Sequence, residues 1–305
     1  MILRTNKILP TTLRTNSLCL NAIGTRSGGS KKEYIKGHVK NGSSTFTFKI
    51  GSTTISVPVK DDGWFEWNGF DTYSSLLINN PLTINPEDGL LDIISIYIKN
   101  RTLYRVSISR GDVGNVNTSL KIIDFNHSTI KMTYRAPSFY RLQQLEEIRN
   151  TENIAVDSND NRAIRAIFFG NSKLTNLPSM CNWKFPASGT DDEHDLYIGG
   201  MINTLKTIDG LLPITHPFLG SQFSNLSVLE EIKACVEILY SINFQKSSKL
   251  TEQSVVNLFN AVQADGITLT FHPTVGAMID AQMDAEEGAI YDAYMNSDYE
   301  FEYTY

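Results

Sequence analysis

Apolar and polar residues alternate with a period of two between residues 34 and 136. The segment STFTFKIG places Phe46, Phe48 and Ile50 on one side of a strand, and TTISVPV follows after a Gly-Ser turn. DIISIYI and LYRVSIS flank KNRT, and SLKIID and TIKMTY flank FNHS, so two further hairpins are predicted. Many short strands separated by turn residues predict an antiparallel β-sandwich or small barrel over residues 34–136.

A different pattern follows Pro137, where a Leu-x-x-Leu/Ile element recurs and the tetrapeptide LEEI occurs twice. The elements begin 29, 31 and 24 residues apart, at Leu145, Leu174, Leu205 and Leu229. Leucine-rich solenoids repeat every ~20–29 residues, and each coil buries its leucines against its neighbours. The spacing therefore predicts a short, irregular leucine-rich-repeat domain over residues 137–305. The alternative is a chance distribution of leucine in a mixed α/β domain.

A helical cap and an acidic tail are predicted after the repeats. Thr251 is the expected N-cap of a helix that Gly266 ends and that covers the open end of the solenoid. Its apolar face consists of Val255, Val256, Leu258, Phe259 and Val262. Beyond it a short helix and an aromatic strand are expected, with Tyr299, Phe301, Tyr303 and Tyr305 on one face. This strand either pairs with another chain or packs on its own domain.

Two stretches carry a resemblance to a known family. AIRAIFFGNSKLTNLPSM (163–180) and residues 242–280 resemble the divergent BspA-like leucine-rich repeats of Bacteroidetes and of their tailed phages, crAss-like phages included. The second stretch is similar to the terminal unit of that family. The resemblance implies a capped solenoid that presents a surface. The chain departs from the family in its uneven coils, in the insertion CNWKFPASGTDDEHDLYIGG and in the acidic tail.

Residues 1–33 show no clear period and end in a Gly/Ser-rich joint, which predicts an extended arm. Residues 1–40 hold eight Lys or Arg against one acid, whereas 251–305 hold ten acids and no Lys or Arg. Arg4, Lys7 and Arg14 are therefore expected to contact a neighbouring subunit or another virion protein; a disordered terminus is the alternative. The basic residues are scattered, which argues against nucleic acid, and no apolar run predicts export or membrane insertion.

The segment DDGWFEWNGFDTY contains the candidate binding residues. Trp64, Trp67 and Tyr73 offer flat, partly polar rings that suit contact with a glycan, although strand alternation also allows them to pack in the core. The acidic run Asp191–Asp195 contains His194 and is either a solvated loop or a weak cation site.

The sequence contains no motif that predicts an enzyme. The three cysteines and five histidines show no metal-ligand spacing, and no nucleophile elbow, Walker or dinucleotide motif occurs, so no cofactor is expected. The favoured function is a non-enzymatic virion protein of a tailed phage, a head-fibre or tail-associated fibre subunit that forms homo-oligomers and attaches to a host surface glycan. A bacterial surface leucine-rich-repeat adhesin and a carbohydrate-active enzyme with a remote carboxylate pair are the alternatives.

Overall fold

The computed structural model describes residues 32–40, 42–85, 91–108 and 119–305, and strands predominate among them. The predicted arm contacts Arg4, Lys7 and Arg14 lie outside the described residues. The strands are β1 (Tyr34–Val39), β2 (Thr45–Ile50), β3 (Thr53–Pro58), β4 (Trp64–Trp67), β5 (Leu82–Ile84), β6 (Leu91–Tyr97), β7 (Arg101–Leu103), β8 (Val106–Ile108), β9 (Ile122–Asp124), β10 (Ile130–Met132), β11 (Glu147–Arg149), β12 (Ile154–Asp157), β13 (Asn176–Ser179), β14 (Trp183–Lys184), β15 (Thr207–Gly210), β16 (Glu231–Ile232), β17 (Ile242–Asn243), β18 (Ile267–Thr270) and β19 (Phe301–Thr304).

Helices are short and few in the described ranges. They are α1 (Ser74–Asn79), α2 (Pro217–Ser221), α3 (Glu252–Phe259), α4 (Pro273–Ala285) and α5 (Ala289–Met295), with 3-10 turns at Asp191–His194 and Ile198–Met201. The predicted predominance of β-structure is confirmed, and none of the sheets in these ranges closes into a barrel. Each described helix is too short or too polar to cross a bilayer.

Antiparallel pairing joins the first strands of the chain. β2 and β3 form a hairpin, and Gly51 in its turn has a φ of +61°, a conformation that favours glycine. β1 pairs antiparallel with both β4 and β6. Phe46, Phe48 and Ile50 are buried and alternate with exposed neighbours in β2. The strand predicted from STFTFKIG is therefore confirmed.

Parallel pairing takes over from β5 and β6 onward. β5 pairs with β8, β6 with β9, and β9 with β11, each in parallel register. A second series of parallel pairs runs from β7 through β10 and β12 to β14. These pairings cross position 137, and Lys32–Tyr305 forms one compact unit.

The hairpins predicted around KNRT and FNHS are wrong. β6 and β7 lie in different sheets, and so do β9 and β10. Both connections are corners at which Asn100, Asn126 and His127 adopt positive φ. At one corner the buried Ser128 Oγ accepts from the Ile98 amide and donates to the Ile96 carbonyl, both at 2.9 Å. Turn residues mark a change of chain direction, but they do not determine which strand becomes the partner. Among the described strands, antiparallel pairing is confined to β1–β6.

One run of backbone hydrogen bonds connects the residues that follow successive leucines. Starting from the Lys121 carbonyl, the amides of Glu146, Thr175, Lys206, Glu230 and Thr251 each donate to the preceding member, over 2.8, 2.9, 2.8, 2.8 and 3.0 Å. The preceding leucines, Leu120, Leu145, Leu174, Leu205, Leu229 and Leu250, are all buried. The four leucines that suggested the repeat thus occupy equivalent positions, and one more extends the series at each end.

Where two strands are not joined by backbone hydrogen bonds, polar side chains bond to the backbone in their place. Between β11 and β13, the Asn176 amide group accepts from the Ile148 amide at 3.1 Å and donates to the Ile148 carbonyl at 2.7 Å. At β16, Ser254 Oγ accepts from the Ile232 amide and Asn257 Nδ2 donates to the Ile232 carbonyl, both at 2.9 Å. Helix α3 therefore satisfies the backbone at the free edge of β16.

The helix predicted after Thr251 is confirmed at its start and wrong at its end. Thr251 Oγ1 accepts from the Ser254 amide at 3.3 Å, which makes it the N-cap of α3. The helix ends at Phe259, well before Gly266. The reason is that Ala261 and Val262 pair with Ile238, whose amide donates to the Ala261 carbonyl at 2.8 Å. The chain leaves the helix to extend the sheet.

Candidate functional site

The aromatic residues of strand β4 lie on two different faces of the strand. Phe65 stacks on Phe46 at a centroid distance of 4.2 Å, and Trp67 meets Phe48 at 5.0 Å and Phe70 at 4.7 Å. Trp64 lies on the other face. Period-two alternation in a strand produces this division.

The three candidate glycan residues are therefore not equivalent. Trp67 and Tyr73 lie 6.0 Å apart between ring centroids and pack, partly buried, against the hydrophobic core. Trp64 is also partly buried, but its ring neighbour is the imidazole of His38, at 5.3 Å. Trp64 is joined to a polar cleft through two residues that line it, its chain neighbour Gly63 and its ring neighbour His38.

This cleft lies beside Trp64 where the ends of β1, β3 and β4 converge. It has a volume of about 500 Å³, and its polar lining includes His38, Lys40, Ser43, Lys60, Asp61 and Asp62. Carbohydrate hydroxyls are hydrogen-bonded by such mixed donors and acceptors. The lining carries cationic and anionic side chains, which gives a ligand both kinds of charged partner.

Backbone contacts fix the walls of the cleft. The Val39 amide donates to the Gly63 carbonyl at 2.9 Å, and the Lys60 amide donates to the Trp64 carbonyl at 2.9 Å. Gly63 has a φ of +83°, and a Cβ there would lie 2.6 Å from the Val39 carbonyl oxygen and 2.8 Å from His38 Nε2. Only glycine allows β1 and the turn before β4 to approach this closely.

The carboxylate of Asp92 contacts two of the side chains that line the cleft. Asp92 contacts His38 Nδ1 at 3.0 Å and Lys40 Nζ at 3.3 Å through its two carboxylate oxygens. Partial burial alone would raise the pKa of Asp92, but hydrogen bonds from His38 and Lys40 outweigh it and lower the pKa below the ordinary value. The ionised carboxylate orients both lining side chains at neutral pH. Nothing in the sequence signals this contact, because Asp92 lies 54 residues from His38.

The candidate assembly residues of the C-terminal strand differ in accessibility. β19 pairs in parallel with β18 and ends the three-stranded sheet β17-β18-β19. Phe301 is buried and Tyr303 partly buried, and both rings contact Phe259, at 5.1 and 6.2 Å. Tyr299 and Tyr305 remain exposed. The two central rings of the aromatic face, Phe301 and Tyr303, therefore pack on their own chain.

The acidic run 191–195 forms a 3-10 turn. The Thr190 amide donates to Glu193 Oε2 at 3.0 Å, and Asp192 pairs with Arg165 at 2.7 Å. His194 is buried, with its ring nitrogens 3.1 Å from the Thr190 and Pro186 carbonyl oxygens and its ring stacked on His216 at 4.2 Å. Throughout the described residues, no cluster of three or more His, Cys, Asp or Glu is placed to hold a metal ion.

Comparison with protein-family models, with curated proteins and with solved structures finds no match to this chain.

Proposed function

We propose that residues from about 120 onward form an irregular leucine-rich-repeat solenoid of the BspA-like type, closed by α3. The support is the hydrogen-bond run from Lys121 to Thr251, in which each member follows a buried leucine. A unit of this kind cannot bury its leucines alone, so a cap is needed at each end of the stack. Ser254 and Asn257 supply such a cap at β16.

We propose that the protein is a non-enzymatic structural protein of a tailed phage virion, a head-fibre or tail-associated fibre subunit. The observation that carries this proposal is the architecture, in which successive strands extend one face and add surface with each repeat. The basic segment with Arg4, Lys7 and Arg14 would dock on capsid or tail proteins, and subunits would associate as homo-oligomers. The resemblance of residues 163–180 and 242–280 to phage and Bacteroidetes repeats supports the same assignment.

Within this function, the cleft beside Trp64 is the proposed contact with a host surface glycan. Trp64, whose ring neighbours the lining residue His38, would provide the ring face, and Lys40, Lys60 and Asp62 in the lining would provide charged hydrogen-bond partners. Trp67 and Tyr73 support the strand from the core side. This assignment divides the aromatic cluster into one ligand-contacting residue and two structural residues.

Particle proteomics with immunogold labelling tests the virion assignment. An antibody raised against the purified chain should decorate intact particles at the head or tail, and the chain should co-purify with them in a density gradient. Its absence from purified particles, together with labelling of the bacterial envelope, would contradict the proposal and favour a surface adhesin.

A glycan array with matched variants tests the cleft. Trp64→Ala should lose binding to the glycans that the unchanged protein retains and keep its thermal stability. Trp67→Ala should lower the melting temperature instead, because it removes a ring from the core. Binding that survives Trp64→Ala would rule out Trp64 as the contact residue.

A further inference from the structure

The dipeptide Tyr-Arg occurs three times, and its first two copies, Tyr104-Arg105 and Tyr134-Arg135, lie 30 residues apart; the third is Tyr140-Arg141. The first two copies lie side by side, because the Tyr134 amide donates to the Tyr104 carbonyl at 3.2 Å. Their tyrosine rings stack with centroids 4.5 Å apart and an interplanar angle of 15°. The two arginines therefore start from adjacent, equivalent positions, yet their partners differ.

Arg135 has a carboxylate partner and an aromatic partner. Its Nε donates to Asp160 Oδ2 at 2.9 Å, and its guanidinium lies 4.9 Å from the centre of the Tyr134 ring. Burial would raise the pKa of Asp160, but hydrogen bonds from the Arg162 amide and from Arg135 outweigh it and lower the pKa. Asp160 is thus ionised at neutral pH and neutralises Arg135.

Arg105 lacks the equivalent carboxylate within the described residues. Its Nε donates to the Ala136 carbonyl at a long 3.3 Å, which is a neutral acceptor. Burial, followed by repulsion from Arg135, lowers the pKa of Arg105 to about 10, so the group is still a cation at neutral pH. Asp160 attracts this cation, but among the described residues no carboxylate accepts a hydrogen bond from it. A partly buried guanidinium beside a second cation, with one neutral acceptor, is an incompletely compensated charge.

We propose that Arg105 is the recognition residue of a carboxylate site, in which an acidic ligand takes the position that Asp160 holds beside Arg135. Within the described part of the chain the Nε bond is the one hydrogen bond from this guanidinium, and its terminal N–H groups form a fork that matches the two oxygens of a carboxylate. A bound carboxylate neutralises Arg105 and offsets its repulsion from Arg135. The ligand is an acidic sugar or an acidic amino-acid side chain, since both present this group.

Thermal shift and titration calorimetry with Arg105→Gln and Arg135→Gln test the site. In chloride buffer, Arg105→Gln should keep or raise the melting temperature because an unpaired charge is removed, whereas Arg135→Gln should lower it because Asp160 loses its partner. Acetate, glucuronate and N-acetylglutamate at matched ionic strength should raise the melting temperature of the unchanged protein. Arg105→Gln should weaken the affinity for these carboxylates at least about tenfold, as expected for a lost charged hydrogen bond. Arg105→Lys should weaken it partly.

The probes also distinguish the sources of the carboxylate. Tighter binding of glucuronate than of N-acetylglutamate supports an acidic sugar, and the reverse order supports an acidic side chain. Two results overturn the proposal. One is an equal carboxylate response in the unchanged protein and Arg105→Gln. The other is a fall in melting temperature for Arg105→Gln as large as that for Arg135→Gln in chloride, since it would mean that the folded chain already supplies a counter-charge.

Discussion

The first hairpin and the later parallel strands differ in how far along the chain their pairing partners lie. β2 and β3 are joined by a two-residue turn, so each supplies the partner of the other. In the run from Lys121 to Thr251, every strand instead takes partners from more than 20 residues away on the chain. The hairpin strands pair mainly with each other, although β2 also pairs with β5 at Lys49 and Ile50. Each later strand depends on neighbours from distant parts of the chain, and the last one depends on α3. A defect should therefore remain local in the hairpin and spread in the parallel run.

The largest effect is expected in the middle of the parallel run. Leu205→Ala removes a fully buried side chain and should lower the free energy of unfolding by about 3 kcal/mol. Hydrogen exchange should accelerate at the amides of Lys206 and Glu230, while the amides of β2 and β3 stay protected. Uniform acceleration across both regions would show that they do not differ as described.

A pair of glycine substitutions sharpens the comparison in the antiparallel region. Gly63 and Gly42 both have positive φ, but a Cβ at Gly42 meets nothing within 4 Å, whereas one at Gly63 meets the Val39 carbonyl oxygen at 2.6 Å. Gly42→Ala should cost about 1 kcal/mol from backbone strain, and Gly63→Ala about 2 kcal/mol. Urea denaturation measures both. Equal costs would mean that the contact with Val39 does not limit the site.

The cap of the parallel run predicts a smaller loss. Ser254→Ala leaves the buried Ile232 amide without its acceptor and should cost about 1.5 kcal/mol. Asn260→Ala, at an exposed position just after the same helix, is the control and should change the unfolding free energy little. If both variants unfold at the same denaturant concentration as the unchanged protein, α3 does not stabilise the end of the run.

The smallest effect concerns pH. The pKa of Asp92 is lowered in the folded chain, so its contribution to stability is present above the ordinary value of 3.8 and is lost as pH falls through the folded value. The difference in unfolding free energy between pH 7 and pH 3 should therefore be smaller in Asp92→Asn than in the unchanged protein. An identical pH dependence in the two proteins would contradict the ion pairs with His38 and Lys40.

The sequence predicts the strands better than their partners. Alternation identified β2, and the leucine spacing identified positions that share one hydrogen-bond run, because both patterns follow from local geometry and burial. The corners at KNRT and FNHS are predicted wrongly as hairpins, since Asn marks turns of either kind. Asp92 beside His38 and Asp160 beside Arg135 arise from contacts between distant segments. A single sequence carries no periodic signal for such pairs.

The central claim is that residues after successive leucines lie side by side, and disulfide formation tests it most directly. Adjacent strands lie about 4.8 Å apart, within the reach of a disulfide, whereas positions two strands apart are about 10 Å away and out of reach. Paired cysteines at Lys206 and Glu230 should form an intramolecular disulfide under mild oxidation, detectable by peptide mass spectrometry. Paired cysteines at Glu146 and Lys206 should not. A linkage in the second pair and none in the first would contradict the account.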